Sequence, residues 1–374
     1  MRRASITIRS LGQDTSHVRR YKTAVGDDGA LRSTACGVAA HSLRQPADSC
    51  TRFFEELAAG GHPDPDPQLR QGWLYGFINA AGEQPEESTL LQSENWHAFS
   101  DPNQEWEQTV CRNTVNSVRQ LARTVGGVKQ LRSFTGDNAA WLSVLENNLG
   151  GWAHVEHGIG MYVYNSAQRQ APTKEINDCI AVAAARKLRF ARDLILHNLE
   201  ISDQREDFDG GAYRECWRYG SEWQGVRRTV EQLAEVKDWA EAYFAATLVF
   251  EPLVGELFRS DFVMQAAARH SDYLTPVIFG AGEADVCRDQ AGARRLFRML
   301  VNDAAFADEN RRLMQGWLEK WVAMSLEAGY RLKPLWSQLP GWAVSFSESR
   351  TRAVAHFDQL LAELGLQYDK DCSS

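Results

Sequence analysis

The chain has 374 residues, 44% of them hydrophobic and 24% charged, with a formal net charge of -8. That length gives one large or two medium domains with a sizeable core. The acidic balance excludes a general nucleic-acid binder, which would carry a basic surface. No apolar run reaches the ~18 residues of a membrane span, and Met1-Arg2-Arg3-Ala4-Ser5 lacks the apolar stretch of a secretory signal. Seven scattered cysteines without C-x-x-C spacing signal neither a zinc site nor a redox motif and suit a reduced, cytoplasmic compartment.

Residues 1 to about 50 show no sustained periodicity and are rich in Arg, Ser, Thr, Gly and Asp. They are predicted to form an arm that orders on a partner rather than a domain. Gly60-Gly61-His62-Pro63-Asp64-Pro65-Asp66-Pro67 cannot lie inside a helix, because proline lacks the donor and restricts the residue before it. Asp64 and Asp66 read as a solvated turn. The predicted boundary falls near 85, with an arm over 1–85 and a helical domain over 86–374.

Helical texture begins at Asp101-Pro102-Asn103-Gln104, where Asp at the N-cap and Pro at the first position predict a helix start. Four long patterns follow, over 102–124, 138–168, 173–201 and 238–270. Shorter ones lie near 286–302, 304–330 and 345–365. The second carries Leu142, Leu145, Leu149, Trp152, Ile159 and Val163 on one face. The third is predicted to bury Ile176, Ile180, Ala184, Leu188, Ala191, Ile195 and Leu199, and the fourth Trp239, Tyr243, Phe250, Leu253, Leu257 and Met264. Long amphipathic helices with short breaks predict an all-α bundle.

Glu156 falls on the apolar stripe of the second helix. A di-iron bundle site needs Glu-x-x-His, because that spacing puts carboxylate and imidazole on one helix face. Position 159 is Ile159, and Glu256 is followed at the same spacing by Arg259. Of the nine histidines only His97 stands three residues after a glutamate, Glu94, outside the long helices. No metal, catalytic or cofactor residue is therefore assigned. Glu156 is expected to pair with Arg186, Arg189, Arg192 or Arg259, since a bare buried carboxylate is expensive. The basic run Arg186-Lys187-Arg189-Arg192 reads as a solvated or salt-bridged face. Gly280-Ala281-Gly282 reads as a loop, since Asp285 stands where a dinucleotide fingerprint needs its third glycine.

Several stretches together resemble a known family: Gln71-Gly72-Trp73-Leu74-Tyr75-Gly76-Phe77, Asn95-Trp96-His97-x-Phe99, Asp101-Pro102-Asn103-Gln104-Glu105-Trp106-Glu107-Gln108-Thr109, Asn148-Leu149-Gly150-Gly151-Trp152, Arg186-Lys187-Leu188-Arg189-Phe190-Ala191, Val249-Phe250-Glu251-Pro252-Leu253-Val254-Gly255 and Leu335-Trp336-Ser337-Gln338. The chain resembles the small (beta) hydroxylase subunit of soluble di-iron monooxygenases, on the propane monooxygenase branch. The resemblance implies a ferritin-like helical bundle without ligands and a non-catalytic structural role in an NADH-dependent complex that hydroxylates small hydrocarbons with O2. It implies a di-iron centre in a large (alpha) partner subunit, two large plus two small subunits, and a reductase and coupling protein in the wider system. Trp141, Trp152, Gly158, Gly160 and Tyr162 are candidates for the twofold contact. The rival readings are a self-sufficient metalloenzyme using His154, His157, Glu156 and Glu251, and a free-standing helical adaptor.

Overall fold

In the computed structural model the described residues are 24–25, 31–32, 88–105, 107–129, 139–339 and 344–368. Two compact units divide the chain, Met1–Pro67 and Gln68–Ser374. Of the first, only a two-residue antiparallel bridge is described, Ala24–Val25 with Leu31–Arg32. The expectations for the remainder of the arm and for Asp64 and Asp66 lie outside the described residues.

The second unit is all helical among its described residues. Its helices are α1 (Glu107–Lys129), α2 (139–168), α3 (Lys174–Gln204), α4 (Tyr213–Tyr219), α5 (Ser221–Glu235), α6 (239–269), α7 (Thr275–Val301), α8 (Ala307–Arg331), α9 (Lys333–Trp336) and α10 (Phe346–Leu364). α2 runs through a π segment at Ile159–Tyr164, and α6 through two, at Ala245–Gly255 and Arg259–Met264. Pro252 lies inside the longer one, where its missing N–H cannot close an α turn.

The predicted stripe of α2 is buried throughout. Its flanks are covered as well, because glycines let neighbours approach, while His154 and His157 on the opposite face stay exposed. A Cβ at Gly150 would meet the Tyr213 ring at 2.3 Å, and one at Gly151 the Trp223 ring at 3.1 Å. Trp141 and Trp152 are fully buried inside this chain, and Gly158 and Gly160 pack on Val230 and Lys187. Of the five residues expected at a twofold contact, only Tyr162 is exposed.

α3 departs from its predicted face. Leu199 is 51% exposed, whereas Phe190, Leu194, His197 and Asn198 are buried. Steps of four residues drift about 40° each, so a stripe begun at Ile176 has turned about 140° by Leu199. The core instead follows α3 as it crosses α2 and α7. α6 is buried through Trp239, Tyr243, Phe250, Leu253 and Leu257, with Met264 at the edge.

Three boundaries differ from the sequence reading. Asp101 does not cap a helix: Gln104 has φ 51°, and Asp101 accepts instead from the Asn103 backbone at 2.9 Å in a tight turn. The helix begins six residues later. α7 begins at Thr275, not near 286, because Asp272 accepts from Leu274 N and Thr275 N at 3.0 Å each and Pro276 fits the first turn. Gly280-Ala281-Gly282 is therefore helical, with Gly282 making room for the Phe190 ring. Finally, α4 and α5 fill a stretch with no assignment above. The spacing of Trp223, Val226, Val230 and Leu233 is the helical signal there.

A closed ion cluster at the candidate site

Glu156 sits in the second half of α2, fully buried and aimed into the bundle. Its helix register follows from the leucine stripe on which it lies. Trp152, one turn earlier, donates its indole Nε1–H to Glu156 Oε1 at 2.7 Å. The next group inward is Lys187 of α3, 2% exposed, whose Nζ lies 3.0 Å from Glu156 Oε2 and also donates to Glu251. Glu251 comes from the long π segment of α6. Arg259, eight residues or about two turns farther along α6, closes the ring. Its NH1 lies 3.3 Å from Glu156 Oε1, its NH2 2.8 Å from Glu251 Oε2, and its Nε donates to Glu283 of α7. The guanidinium also stands 5.2 Å from the Trp152 ring centre, a cation–π contact.

Electrostatics follow from burial and charge count. Three carboxylates face two cations, so the cluster holds one negative charge in excess. Burial pushes the Glu156 carboxyl up, and the nearby Glu251 adds to this against the pull of Lys187. Glu251 is held below the usual carboxylate range: burial opposes this, but Arg259 and Lys187 both touch it. Lys187 is raised against its own desolvation by Glu156 and Glu251. Glu156 is thus the carboxyl that most readily takes a proton.

The expected pairing of Glu156 with Arg259 is found. Arg186, Arg189 and Arg192 are not its partners, and Lys187 is a partner absent from the expected set. Arg186 and Lys187 are both buried, so of the solvated or salt-bridged face expected here the structure shows the salt-bridged form. Arg186 lies 2.6 Å from Asp289 and donates to Glu105, while Arg189 and Arg288 both donate to Asp285. Burial pushes Asp289 up to about 6. Only Arg192 remains outward, paired with its neighbour Asp193.

The residues at the bundle centre do not fit a di-iron centre. Lys187 and Arg259 are donors without lone pairs, and they already occupy the carboxylate oxygens that would face a metal. Ile159, fully buried, offers nothing. The alternative ligand set is not brought together either. Glu156 and Glu251 meet around Lys187, but His154 and His157 point out from the other side of α2 and are exposed. Glu94 and His97 lie in an exposed turn, where Asn95 caps the His97 backbone at 3.0 Å. Among the described residues, no three His, Cys, Asp or Glu side chains are arranged to hold a metal. Nor is any described helix long and apolar enough to cross a membrane.

Residues 73–304 match the model of the Methane/Phenol/Alkene Hydroxylase family. The chain is 45% identical over 326 residues to the propane 2-monooxygenase hydroxylase component small subunit of Rhodococcus jostii (strain RHA1), covering 87% of this chain and 89% of that one. It is 44% identical over 331 residues to the same subunit of Gordonia sp. (strain TY-5), covering 88% and 90%. Among solved structures, phenol hydroxylase from Pseudomonas sp. OX1 superposes with TM-score 0.66 at 19% identity, covering 75% of this chain and 82% of that one. The chain belongs to the methane/phenol/alkene hydroxylase family, as a small-subunit-type chain of a multicomponent monooxygenase.

Proposed function

We propose that this chain is the non-catalytic, bracing subunit of a hydroxylase whose di-iron centre is held by a larger partner chain. The observation that carries this reading is the filled bundle centre. Two buried cations already neutralise the carboxylates that would otherwise be free to bind metal. Such a centre supplies rigidity and has no open coordination position. What remains is a ligand-free helical scaffold, matched by relatives that are themselves named small subunits.

Several finer points rest on the same reading. Residues 1–85 serve as a partner-wrapping arm and 86–374 as the ferritin-like domain. The assembly holds two large and two small subunits, a large–small pair repeated about a twofold axis, the commonest closed symmetry of soluble oligomers. The complex works in the cytoplasm with a reductase and a coupling protein, and draws its electrons from NADH. Its substrate is a small hydrocarbon of the propane class, supported by the names of the 43–45% relatives. Co-expression with the large hydroxylase chain from the same source, followed by native mass spectrometry, tests the assembly. A two-plus-two complex is expected. A stable lone monomer that ignores the large chain overturns the reading in favour of a free-standing adaptor.

A further inference from the structure

Four helices each turn one charged side chain toward the bundle centre: Glu156 from α2, Lys187 from α3, Glu251 from α6 and Glu283 from α7, with Arg259 of α6 between them. A bundle that holds two metal ions has the same layout, one carboxylate per helix, except that here α3 supplies an ammonium. Three residues after these positions, where two helices of such a bundle carry imidazole, stand Ile159, Phe190, Val254 and Val286, all apolar and buried.

The cations that are present bridge the carboxylates, as metal ions do. Lys187 Nζ lies 3.0 Å from Glu156 Oε2 and donates to Glu251, so it spans two buried carboxylates. Arg259 spans a wider set, Glu156, Glu251 and Glu283. A cavity of about 140 Å³ lies against the same group, lined by Glu251, Arg259, Glu283 and Val286 and reaching the exposed Cys287.

We infer that Lys187 and Arg259 are built-in replacements for two metal ions, and that Lys187 is the residue that keeps a divalent cation out of the centre. Glu156, Glu251 and Glu283 set against Lys187 and Arg259 leave one negative charge over. Without Lys187 two are left, beside a gap between two carboxylates, and one divalent cation cancels both. With Lys187 in place, an entering cation meets two positive groups that already take up the oxygens. Lacking imidazole, the vacated position offers carboxylate oxygen, which suits a hard cation such as Mn2+. This rests on the ligand-free reading above and is a property of this chain by itself.

Full-length wild type, Glu156→Gln, Lys187→Ala, Lys187→Met and the double variant Lys187→Ala with Glu156→Gln are melted with and without Mn2+ at about pH 8, so that carboxylate ligands are ionised. Bound Mn2+ is counted by elemental analysis after dialysis. Lys187→Ala is expected to hold about one Mn2+ per chain and to melt about 5 °C or more higher at saturating Mn2+. A Lys187→Ala chain that folds only when Mn2+ is added gives the same result in stronger form. Lys187→Met fills the space with an uncharged side chain of similar length, and the double variant lacks one carboxylate; both should bind at least about tenfold more weakly. Wild type should neither bind nor shift. A Lys187→Ala chain that stays unfolded in Mn2+, or folds and ignores it, overturns the inference and leaves the metal-free reading standing. An equal response from Lys187→Met or from the double variant places the cation elsewhere and overturns it too. If wild type itself holds Mn2+ and loses it on Glu156→Gln, the metal-free reading falls as well.

Discussion

Two sides of one helix carry opposite chemistry within a single turn. Glu156 faces inward, sealed by Trp152, Lys187 and Arg259. His154 and His157, two residues before it and one after, face outward beside unpaired arginines. Inside, every charge has an opposite charge in contact, because a bare ion in the core would cost several kcal/mol. Outside, water solvates the charges, and no matching set of opposite charges is required. The same four residues thus hold a structural lock on one side and a solvated surface on the other. What distinguishes them is solvent, not residue type.

The largest effect that can break this contrast is removal of an inner cation. Lys187→Ala leaves Glu156 and Glu251 facing each other with one positive charge fewer. It should destabilise the fold by about 3–5 kcal/mol, the range for breaking a buried pair, and chemical denaturation would read this directly. A loss below about 1 kcal/mol would show that the cluster is not electrostatically tight. A milder change sharpens the point. Glu156→Gln removes the excess negative charge and keeps an acceptor for the Trp152 indole. It should cost less than Lys187→Ala by about 2 kcal/mol or more, since it leaves no unpaired ion.

The outer cluster around Arg186 gives a pH-dependent prediction. Asp289 has a folded pKa pushed up to about 6 by burial, above its ordinary 3.8. Between those values the folded state binds more protons than the unfolded one. Stability should therefore fall as pH rises from about 4 to 6, in contrast to a carboxylate whose pKa is depressed. Melting temperature followed across this window should show the decline, and Asp289→Asn should remove that component of the slope. A slope unchanged by the substitution would place the proton elsewhere. The smallest effect belongs to the exposed side: Arg214→Ala should change stability by no more than about 0.5 kcal/mol in the isolated chain. A larger loss would mean that Arg214 braces α4 through the Tyr213 ring.

The lengths and inward faces of α2 and α6 were legible in the sequence because three- and four-residue apolar spacing persists through them. The inward turn of Glu156 followed from the same register, whereas its partner Arg259 was only one of four arginines that the sequence offered. Lys187 was not legible. It stands in a run of basic residues whose neighbours Arg189 and Arg192 lie progressively nearer solvent, and only the crossing of α3 over α2 decides which of them is buried. The drift of the α3 stripe had the same origin, since four-residue steps do not stay on one face. Asp101-Pro102 carries the composition of a helix start, but its side chain closes a local turn first. The early start of α7 depends on Asp272, which lies before the proline and accepts from the backbone N–H groups of Leu274 and Thr275 that follow it. The glycines of that helix were read as loop residues, whereas Gly282 is there to admit Phe190.

The account stands or falls most directly on where the iron of the assembled hydroxylase resides. Iron per complex should be measured by elemental analysis for wild type and for complexes in which this chain carries Glu156→Gln or Glu251→Gln. With Lys187 and Arg259 filling the bundle centre, both variants that assemble should hold the same iron as wild type. A stoichiometric loss of iron on either substitution, in a complex that remains intact, would contradict a metal-free centre in this chain.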